Sequence, residues 1–131
     1  MLPFPVALRT GLPIYEQVIY AVTRAVVVGQ LRAGDPFPSV RALSQELGIN
    51  PNTAQRIIAA LAEQRLLVVC PGIGTFVADV QPATAAVKRA LLDEETERLV
   101  VAARRAGIPL QDLIAAVRGH WSAANTHRDE V

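Results

Sequence analysis

The sequence predicts a mainly α fold closed by a small β-hairpin. Apolar residues recur at helical spacing in three successive segments before residue 62, and a Gly48-Ile49-Asn50 turn joins the second segment to the third. Two short runs rich in β-branched residues then flank Pro71-Gly72-Ile73-Gly74.

Residues 13 to 29 form the first predicted helix, with Ile14, Val18, Ala21, Val22, Ala25 and Val26 on one stripe and Tyr15 and Ile19 widening it. Pro13 suits its start and Gly29 its end. Residues 31 to 38 crowd Gly34, Asp35, Pro36 and Pro38 together, which forbids helix and predicts a fixed turn. Ser39 can cap a second helix carried by Val40, Leu43 and Leu47, and Gly48 can supply the left-handed residue that ends it. Asn50 is a good cap, Pro51 fits the first helical position, and Ala54, Ile57, Ile58 and Leu61 make the buried stripe of a third helix. Leu66 to Cys70 and Thr75 to Val77 are the two strands of the hairpin. Helix, helix, tight turn, helix, hairpin is the order of a winged helix-turn-helix, placed at residues 10 to 80 with the helix-turn-helix at about 37 to 58.

Beyond Gln81-Pro82 the pattern is helical again, from 84 to 105 and, after Gly107, from Pro109 through Trp121. Residues 83 to 123 form a predicted helical tail and 124 to 131 a polar C-terminal end. Two short helices bury too little surface to stand alone. Their apolar residues Val87, Leu91, Leu99, Leu110, Leu113, Ile114, Val117 and Trp121 would be exposed in a single copy, and pairing about a two-fold axis would bury them. The tail carries seven basic and seven acidic residues, a balance that fits a helical interface better than a nucleic-acid arm.

Composition removes several classes of function. The chain has 131 residues, of which 51% are hydrophobic, and no apolar run approaches the ~20 residues needed to cross a bilayer. Its N-terminus has no basic start and is broken by prolines, so neither export nor a membrane role is expected and the predicted location is cytoplasmic. Cys70 is the single cysteine, and His120 and His127 have no ligand partner at metal spacing, so no metal and no cofactor are expected. There is no Ser-His-Asp set, no paired carboxylates and no phosphate-binding loop, hence no catalytic residues and no enzyme.

The run Gly29-Gln-Leu-Arg-Ala-Gly34-Asp-Pro-Phe-Pro38-Ser39-Val-Arg41-Ala-Leu43, followed by Leu47-Gly-Ile-Asn-Pro-Asn-Thr53 and Gly72-Ile-Gly-Thr-Phe-Val77, closely resembles the GntR family of bacterial regulators. The two-helix remainder is similar to the YtrA-type subfamily, whose minimal tail serves dimerisation. Three positions depart from the family pattern: Cys70 and Pro71 replace a basic residue before the wing turn, Gln64-Arg65 replaces a helix-ending glycine, and Pro51 replaces an arginine found in some relatives. The resemblance implies a sequence-specific DNA-binding transcription regulator, usually a repressor, acting as a homodimer on a palindromic double-stranded operator. Any small-molecule effector would have to bind in the tail or at the dimer interface.

Within that frame the third helix presents Asn50, Asn52 and Thr53 at its N-terminus, where free backbone N–H groups and the positive end of the dipole favour phosphate. Gln55 and Arg56 lie opposite Ile57 and Ile58, and can pair with adenine and guanine respectively. Arg41 lies away from Leu43 and Leu47, and the resemblance carries it to the DNA, with Ser39 beside it. In the wing, Gly72 and Gly74 allow close backbone approach and Thr75 offers a hydroxyl. Each residue also has a plain role, since Ser39 and Asn50 serve as caps in any helix and glycines 72 and 74 in any hairpin turn. Residues 1 to 80 hold six arginines against five acids, so one copy is weakly charged and two copies, with recognition helices ~34 Å apart, are expected to be needed for tight binding. The alternative is a winged helix used only for protein contact. The exposed polar set at 41, 52, 53, 55 and 56 speaks against it.

Overall fold

The computed structural model describes residues 2–79 and 81–129, with side chains through residue 124. The chain divides into two compact units, one built on Met1–Val80 and one on Gln81–Thr126.

In the first unit, α1 (Ile14–Val28) begins after Pro13 and closes on Gly29, whose φ of 88° is left-handed and whose N–H bonds to the Val26 carbonyl. Helix α2 (Val40–Leu47) is capped by Ser39, whose hydroxyl accepts from the Ala42 N–H at 3.1 Å, and ends on Gly48 at φ 64°. Helix α3 (Pro51–Glu63) is capped by Asn50, with Pro51 in its first turn. The strands β2 (Leu67–Cys70) and β3 (Gly74–Val77) pair antiparallel with Val69 opposite Thr75. Val18, Val22 and Ala25 of α1, Leu43 of α2, and Ala54, Ile57, Ile58 and Leu61 of α3 meet in one buried core with Leu67 and Val77. The stripes read from 3.6-residue spacing are the faces that pack, except at Ile14, which stands exposed at the start of α1.

Two parts of this unit differ from expectation. The crowded segment 31 to 38 contains a strand as well as a turn: β1 (Pro36–Phe37) pairs antiparallel with β3, so the sheet has three strands in the order β1-β3-β2. Pro36 is tolerated because β1 is an edge strand. The ladder is extended by the Gly34 N–H to the Val77 carbonyl and the Val77 N–H to the Asp35 carbonyl, both at 2.8 Å. The second difference is the N-terminal segment, which brings Phe4 into the core, 5.7 Å from Phe37 and stacked on it. Gln17 ties this segment to α1, accepting from the Arg9 N–H and donating to the carbonyls of Arg9 and Leu12.

The second unit also departs from its reading. The helix expected at 84 to 105 is α4 (Ala85–Ala90), a π-helical turn over Leu91–Glu95, and α5 (Thr96–Arg105). Helix α6 (Leu110–Asp129) continues past Trp121 into the segment expected to be a polar end. Residues 122 to 129 contain neither Gly nor Pro, and Ala123 and Ala124 favour helix, so nothing local breaks it. The rest of that expected end, residues 130 and 131, lies outside the described residues. No helix among the described residues is long and apolar enough to cross a membrane.

Candidate nucleic-acid interface

Helices α2 and α3 pack on each other around the three-residue turn 48 to 50. Helix α2 is eight residues long, ~12 Å at 1.5 Å per residue, so its start and the start of α3 are separated by little more than the length of α2 and the turn. Those ends hold most of the expected contact residues. Ser39, Arg41, Asn50, Asn52, Gln55 and Arg56 are exposed, and Thr53 is half-buried. Opposite them Ala54 and Ile57 are fully buried, which fixes how α3 is rotated about its axis.

Asn50 and Ser39 both serve as caps. Asn50 Oδ1 accepts from the Asn52 N–H at 2.8 Å, and the Ser39 hydroxyl oxygen accepts from Ala42. In neither case does the cap use the side chain's donor, so the Asn50 amide N–H groups and the Ser39 O–H remain chemically suited to an anionic acceptor. Ser44, the buried polar residue of α2, donates to the Arg41 carbonyl at 2.9 Å and so is satisfied within its own turn.

The wing is built around a β-turn in which the Ile73 N–H bonds to the Cys70 carbonyl at 3.0 Å. Pro71 supplies the fixed φ of the second turn position and Gly72, at φ 77°, the left-handed third. Gly74 follows at φ 150°, opposite Cys70 in the ladder. Thr75 belongs to the central strand, paired to Phe37 on one side and Val69 on the other, and is half-buried, so it stands back from the tip. The tip itself presents Ile73, 78% exposed. Sequence reasoning treated Ile73 as a turn residue; its signal was an apolar residue between two glycines where a polar one would suffice.

The contact made by Tyr15 was missed, and the left-handed backbone at Arg65 was not foreseen where Gln64-Arg65 stands in place of a helix-ending glycine. The guanidinium of Arg56 lies over the ring of Tyr15 on α1, with Cζ 5.1 Å from the ring centroid. Arg65, following the C-cap Gln64 of α3, takes φ 61°, the left-handed conformation that glycine ordinarily supplies at a helix end. The Leu66 N–H then reaches back to the Leu61 carbonyl at 2.9 Å, completing the capping motif without glycine.

Three helices with a tight turn between the second and third, an antiparallel wing and a polar α2–α3 end together define a winged helix-turn-helix transcription regulator. Residues 14–77 match the family described as bacterial regulatory proteins, gntR family. The chain is 30% identical to the HTH-type transcriptional repressor YtrA of Bacillus subtilis, over 80% of this chain and 82% of that one. The chain belongs to the GntR family and is a DNA-binding transcription regulator, not an enzyme. Its fold is similar to that of a GntR family transcriptional regulator from Listeria monocytogenes, with TM-score 0.65 and 28% identity, over 86% of this chain and 98% of that one. The DNA-binding domain of AraR in complex with operator ORX1 is also similar, with TM-score 0.51 and 29% identity over 56% of this chain and 95% of that chain.

Proposed function

We propose that the chain is a homodimeric repressor in the cytoplasm that binds a palindromic double-stranded operator through α3, the start of α2 and the wing. The observation that carries the DNA-contact reading is the exposed polar set Arg41, Asn50, Asn52, Gln55 and Arg56 on α2, the turn and α3, whose other faces are buried at Leu43, Ala54, Ile57 and Leu61. In this reading Arg56 and Gln55 read base edges, Arg41, Ser39, Asn50, Asn52 and Thr53 hold phosphate or base edges, and Gly72, Gly74 and Thr75 bring the wing backbone to the duplex. Repression is supported by the YtrA likeness.

The homodimer is supported by the second unit, which has almost no core of its own. Among its described residues only Ala103 is buried, while Val87, Leu91, Leu99, Leu110, Ile114, Val117 and Trp121 are exposed and Leu113 is half-buried. Trp121, at 72% exposure, is an unusual surface residue for a single copy. A second copy is the occupant that satisfies these faces at once, because an isologous interface meets each apolar stripe with its own equivalent.

Fluorescence anisotropy tests the reading, using a labelled duplex from the gene's own upstream region, a random duplex, two salt concentrations and the Arg41→Ala/Arg56→Ala variant. Selective, salt-sensitive binding lost in the variant is the expected result. Equal weak binding to both duplexes, untouched by the substitutions, would replace DNA with a protein partner.

A further inference from the structure

We propose that Tyr15 is a positioning residue for DNA recognition, holding the Arg56 guanidinium over its ring and so limiting the directions in which its N–H donors can meet a base edge. The proposal rests on the reading of Arg56 as a DNA contact.

Arg56 lies opposite the buried stripe of α3, one turn beyond Asn52 on the same side. An arginine at the middle of an exposed face ordinarily samples many rotamers, and base reading needs the fork in one plane. The structure supplies a restraint from another element. The Tyr15 ring, half-buried on α1, lies beneath the guanidinium with Cζ 5.1 Å from the ring centroid, inside the ~6 Å range of a cation–π contact.

The chemistry of this restraint suits recognition. A carboxylate partner would consume two N–H donors and neutralise the charge, and no described carboxylate pairs with Arg56. An aromatic ring attracts the guanidinium without neutralising it, so its positive charge and its fork of N–H donors stay available for guanine O6 and N7. Tyr15 is itself held, because α1 and α3 pack against each other and Val18, on the next turn of α1, is fully buried in the shared core.

Anisotropy titrations of the full chain against the upstream duplex and a random duplex test this, for wild type, Tyr15→Phe, Tyr15→Leu, Arg56→Ala and the Tyr15→Leu/Arg56→Ala pair, with thermal melts to confirm folding. Arg56→Ala is expected to weaken the upstream duplex by about tenfold or more. Tyr15→Leu should weaken it by about two- to fivefold, leave random-duplex binding and the salt slope unchanged, and cost nothing further once Arg56 is alanine. Tyr15→Phe, which keeps the ring, should bind like wild type. Should Tyr15→Leu fail to fold, Tyr15→Met takes its place. An equal loss from Tyr15→Leu in both backgrounds would mean a structural role only, and no loss beside a defective Arg56→Ala would overturn the positioning role while leaving Arg56 a contact. If Arg56→Ala binds like wild type, the Arg56 reading and the Tyr15 proposal fall together.

Discussion

Arg65 shows how one residue can be set against its own backbone preference. Its φ of 61° places a long side chain in the left-handed region, where a non-glycine residue costs of the order of 1–3 kcal/mol. Glycine there would relieve the strain, and part of the gain would be offset by the greater freedom of glycine in the unfolded chain. Arg65→Gly is therefore expected to raise stability by about 1 kcal/mol, read as a higher midpoint in urea with unchanged slope; a lower midpoint would mean that the arginine side chain is itself stabilising. Asn50 poses the complementary question of cap against contact, which one substitution separates. Asn50→Asp keeps an oxygen to accept from the Asn52 N–H, and a carboxylate also suits the helix dipole, so the melting temperature should hold. The same carboxylate would face phosphate, so DNA affinity should fall by at least about tenfold. If affinity survives, Asn50 is a cap alone.

The π-helical turn at Leu91–Glu95 has a consequence for which residues can share a face. In a regular α-helix Leu99 would stand about 120° around the axis from Val87, too far for one narrow stripe. A π turn absorbs one extra residue, equivalent to about 100°, and brings Leu99 back to within about 20° of Val87, on the stripe that also holds Leu91. Deleting Asp93 alone should straighten the helix and keep the stripe, leaving self-association intact by sedimentation; deleting Asp93 and Glu94 together should rotate the distal half by about 100° and abolish it. Loss of association in the single deletion would show that the stripe is not what pairs. This turn was invisible in the sequence, because one inserted residue only blurs a 3.6-residue period. The caps at Ser39 and Asn50 and the left-handed Gly48 were legible, since each depends on neighbours within three residues. Strand β1 and the burial of Phe4 were not, since Pro36–Phe37 finds its partner at Thr75–Phe76 and Phe4 finds its own at Phe37. The polar residues of the candidate interface were readable from cap and helix spacing. The Tyr15–Arg56 contact joins residues 41 apart, and no local pattern announces it.

For the whole molecule the governing quantity is charge. The chain carries a net charge of +1, so a single copy offers few cations for counterion release and nonspecific attraction is weak. In the proposed dimer affinity comes from coupling two copies, since once one recognition helix is bound the second binds as an intramolecular event, a gain of about 10²–10⁴ without any new type of contact. Val117 and Trp121 are 48% and 72% exposed in the single chain, so a charge at either costs the monomer's fold little, whereas across a paired interface it would be buried without a partner. Val117→Glu/Trp121→Glu should therefore sediment as a monomer at micromolar concentration, lose about a hundredfold in affinity for the upstream duplex, and show roughly half the wild-type dependence of log affinity on log salt. The first unit of that variant should still melt cooperatively, because its described core cluster is drawn from residues 4 to 77. A variant that stays dimeric would move the interface elsewhere on the chain, and a monomer that binds as tightly as wild type would show that one winged helix, despite its weak charge, is sufficient for the operator.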